Sequence, residues 1–121
     1  MKGSYLLLIN VKKSLSLKVG KLGSLQFDRG SYVYVGSSMN NLDKRVERHL
    51  RSDKKVHWHV DYFLLDKNVE VVGVLKKPSL FKEECDIAKR IANKHVGVSG
   101  FGCSDCKCKS HLFKLENFRI L

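Results

Sequence analysis

The stretch Ser31-Tyr-Val-Tyr-Val-Gly-Ser-Ser-Met-Asn-Asn-Leu-Asp-Lys-Arg-Val-Glu-Arg-His-Leu50 changes its period midway, and that change decides the fold. Up to Val35 the residues alternate Tyr and Val, types that suit a pleated surface, with Tyr32 and Tyr34 on one face and Val33 and Val35 on the other. Gly36 ends the strand. Beyond the cap candidates Asn40 and Asn41, Leu42, Val46 and Leu50 recur at helical spacing. A strand therefore feeds directly into an amphipathic helix. Upstream, Leu15, Leu17 and Val19 alternate with polar residues, Gly20-Lys-Leu-Gly23 offers a turn, and Leu25 and Phe27 alternate again, which predicts a β-hairpin. Tyr5 to Val11 is short and apolar, as in a central strand. Downstream, His57 to Leu65 predicts a short helix, its aromatic content leaving strand open. Val69 to Leu75 predicts a strand, and Phe81 to His95 a helix with Ile87, Ala88 and Ile91 on one stripe. A Gly- and Cys-rich loop runs over residues 97–110, and His111 to Leu115 predicts a closing strand. The expectation is one α+β domain over residues 1–121, with a mixed, mostly antiparallel sheet, an extra N-terminal hairpin and about three helices. Residues 97–121 form an extension of it.

Charge limits the partners. The chain has 23 Lys+Arg against 12 Asp+Glu, a formal net charge of +11. Such a surplus favours polyanions, because cations that neutralise phosphates release condensed counterions; a merely soluble basic surface is the plainer alternative. No apolar run approaches the length of a bilayer span, and no segment pairs a basic face with a bulky aromatic one, so a membrane partner is not expected. Met1-Lys2-Gly3-Ser4 leads straight into a strand-like run without a cleavage-site pattern, which predicts a cytoplasmic protein.

Two polar residues break the helical stripe. Positions 42, 45, 46, 49 and 50 share a face, yet 45 is Arg and 49 is His. Either Arg45 and His49 edge a cleft where a guanidinium grips a phosphate, or Arg45 snorkels over the core to a carboxylate. The outward Lys44, Arg48 and Arg51 are candidates for nucleic-acid contact. Glu84 likewise falls on the stripe 84, 87, 88, 91, where a carboxylate needs a cation or an Arg, whereas Glu83 falls outside it; a first-turn Glu favoured by the helix dipole is the simpler reading.

Cys103, Cys106, Cys108 and His111 crowd into nine residues. Thiolates and imidazole suit Zn²⁺, although structural zinc sites usually draw ligand pairs from separated segments. Packed thiols, or a substrate-contacting loop with Lys107, Lys109 and Ser110, are the other readings. Disulfides are disfavoured in a cytosolic protein. His57, His59 and Asp61 are equally open: His57 and Asp61 could pair across one helical turn near a cleft, or the group could form a polar cap around a packed Trp58.

With these residues in view, the chain resembles the GIY-YIG nucleases. Gly3-Ser4-Tyr5 at the mouth of a strand, Tyr34-Val35-Gly36 closing another, the passage over residues 34–49 and Glu84 in the C-terminal helix follow that family's order. More closely it is similar to a DUF123 or Uri-type endonuclease branch of mostly archaeal and bacterial proteins. Gly30 to Ser38, His57-Trp-His-Val-Asp-Tyr62, Glu84-Cys85 and the residues from Gly100 to Phe113 carry that likeness. Residues 6–33, between the two tyrosines, form a longer stretch than is usual in the wider family, filled by the hairpin. The resemblance implies one-metal phosphodiester hydrolysis, of DNA rather than RNA, in a repair, recombination or mobile-element context. Tyr5 and Tyr34 would position or deprotonate the attacking water, Arg45 would stabilise the scissile phosphate, and His49 would serve as a second proton-transfer or phosphate-contacting group. Glu84 would hold Mg²⁺ or Mn²⁺. A Tyr is normally too weak an acid to act as base at neutral pH, so its pKa would have to be lowered by the metal, Arg45 or a neighbouring His. The competing expectation is a non-catalytic nucleic-acid-binding module, zinc-stabilised in one version. A third is a protein-interaction appendage.

Overall fold

A computed structural model of the chain describes residues 1–102 and 108–115. Strand β1, Gly3–Val11, is an apolar run inside the main sheet, flanked on both sides by other strands. Strands β2 (Leu15–Lys18) and β3 (Ser24–Phe27) form the separate two-stranded hairpin, closed by a 3-10 turn at Gly20–Leu22. Strand β4, Gly30–Ser38, passes into helix α1, Leu42–Leu50. Helix α2 (His59–Leu64), strand β5 (Val69–Pro78), helix α3 (Glu84–Ala92), and the short strands β6 (Val96–Gly97) and β7 (Leu112–Lys114) complete the order. The main sheet runs β5-β1-β4-β7-β6, and each pairing in it is antiparallel. The α+β class and the N-terminal hairpin agree with the sequence pattern.

The period-two alternation sorts side chains onto two faces. Tyr5, Leu7, Ile9, Tyr32, Tyr34 and Leu112 pack with Leu42 and Val46 of α1, Val60 and Phe63 of α2, and Val19 and Phe27 of the hairpin. Val33, Val35 and Phe113 point the other way, against Ala88, Ile87 and Ile91 of α3. Phe27 and Phe63 lie with ring centroids 4.6 Å apart and are fully buried, each stabilising the fold by about 1.5–3 kcal/mol through burial. The hairpin thus supplies part of the core under α2.

Asn41 caps α1, its side chain accepting from Lys44 N at 3.1 Å. One expectation is corrected on this helix. Leu50, placed on the buried stripe by spacing, is 56% exposed, and His49 is buried in its stead. The helix ends at Leu50, with Arg51 already extended, and that last position lies open to solvent. The final helix is also shorter than its pattern suggested, starting at Glu84 rather than Phe81; Ser79 and Glu83 tie the preceding residues into a turn by a 2.6 Å hydrogen bond.

Candidate active site

Register places the two strand tyrosines. In the β1–β4 ladder Tyr5 stands opposite Gly36, and any Cβ on residue 36 would collide with the Tyr5 ring. The missing side chain therefore lets Tyr5 lie across β4 beside Tyr34, with ring centroids 6.5 Å apart. Where β4 runs into α1, the chain brings Arg45 and His49 to the same place. A cavity of about 540 Å³ opens there, lined by Tyr5, Tyr34, Gly36, Arg45, Trp58, Lys82 and Glu84 among others, with His57 at its wall.

Arg45 is oriented before any ligand arrives. Its Nη1 donates to the Ser37 carbonyl at 3.1 Å, and its guanidinium carbon lies 4.4 Å from the Trp58 ring centroid. A cation over an indole is worth about 0.5–2 kcal/mol, and the guanidinium also hydrogen-bonds the Tyr5 hydroxyl, so it is fixed at the cavity wall where a planar fork can meet an anion. Behind Tyr5 sits His49, whose Nε2 lies 2.6 Å from the Tyr5 hydroxyl. Burial, aided by the positive charge of Lys54, pushes the His49 pKa down to about 3, so the imidazole is neutral. Its Nδ1 is buried and meets no partner among the described residues. An orphaned lone pair costs less than an orphaned N–H, which favours the tautomer with the proton on Nε2. His49 then donates to Tyr5, and the Tyr5 proton is directed elsewhere.

Of the groups expected to lower the tyrosine pKa values, Arg45 does so, but burial prevails. Burial raises Tyr5 above its ordinary value and outweighs the lowering by Arg45; Tyr34 is raised well above its own, again by burial. Both are neutral phenols at pH 7.

Glu84 opens α3 and its side chain, 15% exposed, lines the cavity. The Lys82 ammonium lies 3.2 Å from one carboxylate oxygen, and His111 Nδ1 lies 3.8 Å from the other. Glu83 is held away by Lys77 and by Ser79, so the two neighbouring carboxylates have separate tasks. Among the described residues that line the cavity Glu84 is the one carboxylate, and its oxygens are the donors that could hold a hard divalent ion.

The remaining candidates divide. Asp61 is fully buried and works as a polar cap: it accepts from the backbone N–H of His57 and Trp58 at 2.8 and 2.9 Å. It also takes a two-pronged contact from Arg48 at 2.9 and 3.1 Å. Its hydrogen bonds go to the His57 main chain, not to an imidazole one turn away, so the paired-imidazole reading is set aside. Burial alone would raise the Asp61 pKa, but the Arg48 and backbone hydrogen bonds prevail and hold it below the ordinary carboxylate value. Arg48 is correspondingly removed from the outward-facing set, its guanidinium carbon also lying 4.4 Å from the Trp58 centroid. His59 Nδ1 accepts from the Gly102 N–H at 2.9 Å and so anchors the loop that reaches the cavity rim. Lys44 is exposed on α1, and Arg51, also exposed, pairs with Asp53 at 3.1 Å. Ser110, expected near the cleft, turns inward to bond the main chain of Leu112, and Lys109 lines different surfaces behind α3. Cys103, Cys106 and Lys107 lie outside the described residues.

Sequence reasoning missed Lys82 as a cavity cation and Trp58 as the platform for two arginines. Proximity to Glu84 was the available signal for Lys82; none existed for the stacking, which depends on tertiary approach.

No helix among the described residues is long and apolar enough to cross a membrane. No curated protein and no solved structure matches the chain. One family does: its model, described as domain of unknown function DUF123, matches residues 4–120, and the chain belongs to that family.

Proposed function

We propose that the cavity hydrolyses nucleic-acid phosphodiester bonds with the help of a divalent cation, as an endonuclease of the GIY-YIG kind. The observation that carries this reading is the convergence of Tyr5, Tyr34, Arg45 and Glu84, drawn from four elements, on one cavity. A chain of net charge +11 supplies the attraction for the substrate. Arg45, held by Ser37 and Trp58, stabilises charge on the scissile phosphate without reorganising. Glu84 is the residue that would hold Mg²⁺ or Mn²⁺, which when bound neutralises and polarises the phosphate. Tyr5 and Tyr34 orient the attacking water. As the water oxygen bonds to phosphorus and the P–O bond to the leaving oxygen breaks, the water's proton is lost to solvent while Tyr5 holds the water through its neutral hydroxyl. The His49 Nε2–H, 2.6 Å from the Tyr5 hydroxyl, fixes its orientation. The preference for DNA rests on the family resemblance.

The test is incubation with branched, nicked and plain DNA and with RNA, in Mg²⁺, Mn²⁺ or EDTA, for the native chain and Glu84→Ala. Cleavage that needs the metal and is lost in the variant supports the reading. Cleavage that persists unchanged in the variant removes Glu84 as metal ligand. Salt-sensitive binding with no cleavage of any substrate favours a non-catalytic binding module.

A further inference from the structure

A second cluster of ligand-type side chains lies behind Glu84. Cys85 comes from the first turn of α3, and Cys108 and His111 from the segment that leads into β7. Their ligand atoms all lie within 4.8 Å of one another, and Cys85 Sγ is 3.7 Å from His111 Nε2. We propose that Cys85, Cys108 and His111 bind a Zn²⁺ ion that pins the closing segment to the start of α3.

The donor chemistry selects the metal. Two thiolates and an imidazole suit Zn²⁺ and not the hard, oxygen-seeking ion fitted to Glu84. The spacing suits it too. Tetrahedral zinc with Zn–S of about 2.3 Å and Zn–N of about 2.0 Å separates sulfur from nitrogen by roughly 3.5 Å, and the Cys85–His111 pair stands at 3.7 Å. The ligands come from two segments far apart in sequence, the arrangement common in structural sites, whereas Cys103, Cys106, Cys108 and His111 alone would have to close a tetrahedron within nine residues.

His111 is already fixed for the task. It is buried, its N–H donates to the Phe101 carbonyl, and its own carbonyl accepts from Val35 N, both at 2.9 Å. The ring turns Nε2 toward Cys85 and Nδ1 toward Glu84, 3.8 Å away. A metal on Nε2 leaves the proton on Nδ1, facing a carboxylate, which is how metal-bound histidines are commonly oriented. Zinc loading would therefore set the tautomer beside the cavity and hold α3, with Glu84, against the sheet. The assignment does not depend on the nuclease reading.

The test uses the full chain, purified under reducing conditions. One zinc per chain is expected, with Cys85 and Cys108 protected from alkylation until a chelator is added. Replacing zinc with Co²⁺ should give the visible and thiolate charge-transfer bands of a tetrahedral site, and Cys85→Ser or His111→Ala should lower the stoichiometry and alter those bands. Should either variant fail to fold, the alkylation pattern of the native chain decides. The proposal is overturned by three results: both thiols alkylated equally fast with and without chelator; a Cys85–Cys108 disulfide in a metal-free protein; or Cys85→Ser retaining full zinc and an unchanged cobalt spectrum, which would place all the ligands in residues 103–111.

Discussion

His49 is the residue whose surroundings make the sharpest physical demand. It is a neutral imidazole held in the core against Tyr5, with its pKa depressed to about 3 from an ordinary value near 6.5. Above pH 6.5 it is neutral in both folded and unfolded chains and contributes nothing to the pH dependence. Below 6.5 the unfolded chain takes up a proton that the native chain refuses, so stability falls as pH drops, by up to about 1.4 kcal/mol per unit for this one group. His59, also depressed by burial, acts in the same direction, and Asp61 joins only below its unfolded value near 3.8. Urea unfolding between pH 7 and 4.5 should show the decline, with a shallower slope in His49→Gln. Parallel pH profiles for the two proteins would mean that His49 is not held neutral. The sequence marked this residue because a polar side chain sat on an apolar stripe. It could not show that His49 rather than Leu50 completes the buried face, because that depends on where the helix stops relative to its neighbours.

At the level of elements, α2 is held at its start by a charge that the helix buries. Asp61 stabilises the first turn through two backbone N–H groups and binds Arg48 of α1, so one carboxylate fixes both the entry to α2 and its approach to α1. Trp58 sits between these elements and carries both arginines. Replacing Asp61 with Ala should cost about 3–5 kcal/mol, because it strands buried donors and an arginine together. The urea midpoint measures it, and a loss below about 1 kcal/mol would show that the cap is dispensable. The strands and helices were legible because their periods of two and 3.6 are clean in Ser31 to Leu50 and in residues 84–91. The bonding of Asp61 was not, since a spacing of four from His57 fits a side-chain pair as well as a cap. Cys85 stayed hidden as a ligand for a related reason. Its partners are 23 and 26 positions away, and the crowding of cysteines at 103–108 drew attention to one loop.

For the molecule as a whole, the proposed binding and the proposed cutting rest on different features. The surplus of positive charge acts at a distance and is screened by salt, whereas the cavity acts only on what is seated in it. The candidate site was legible in outline because Arg45 and Glu84 each violated an apolar stripe, and the fold joins those violations in one place. The tyrosines carried no such signal of their own, since aromatics are ordinary in strands; the Tyr5–Gly36 register is what distinguishes them. The most direct measurement sets affinity beside single-turnover cleavage for the native chain and Glu84→Gln, at saturating protein and in low and moderate salt. Binding should weaken with salt to a similar extent in both proteins, and cleavage in Mg²⁺ should fall about 100-fold or more in the variant. Equal cleavage by the two proteins, or cleavage indifferent to EDTA, would contradict this expectation.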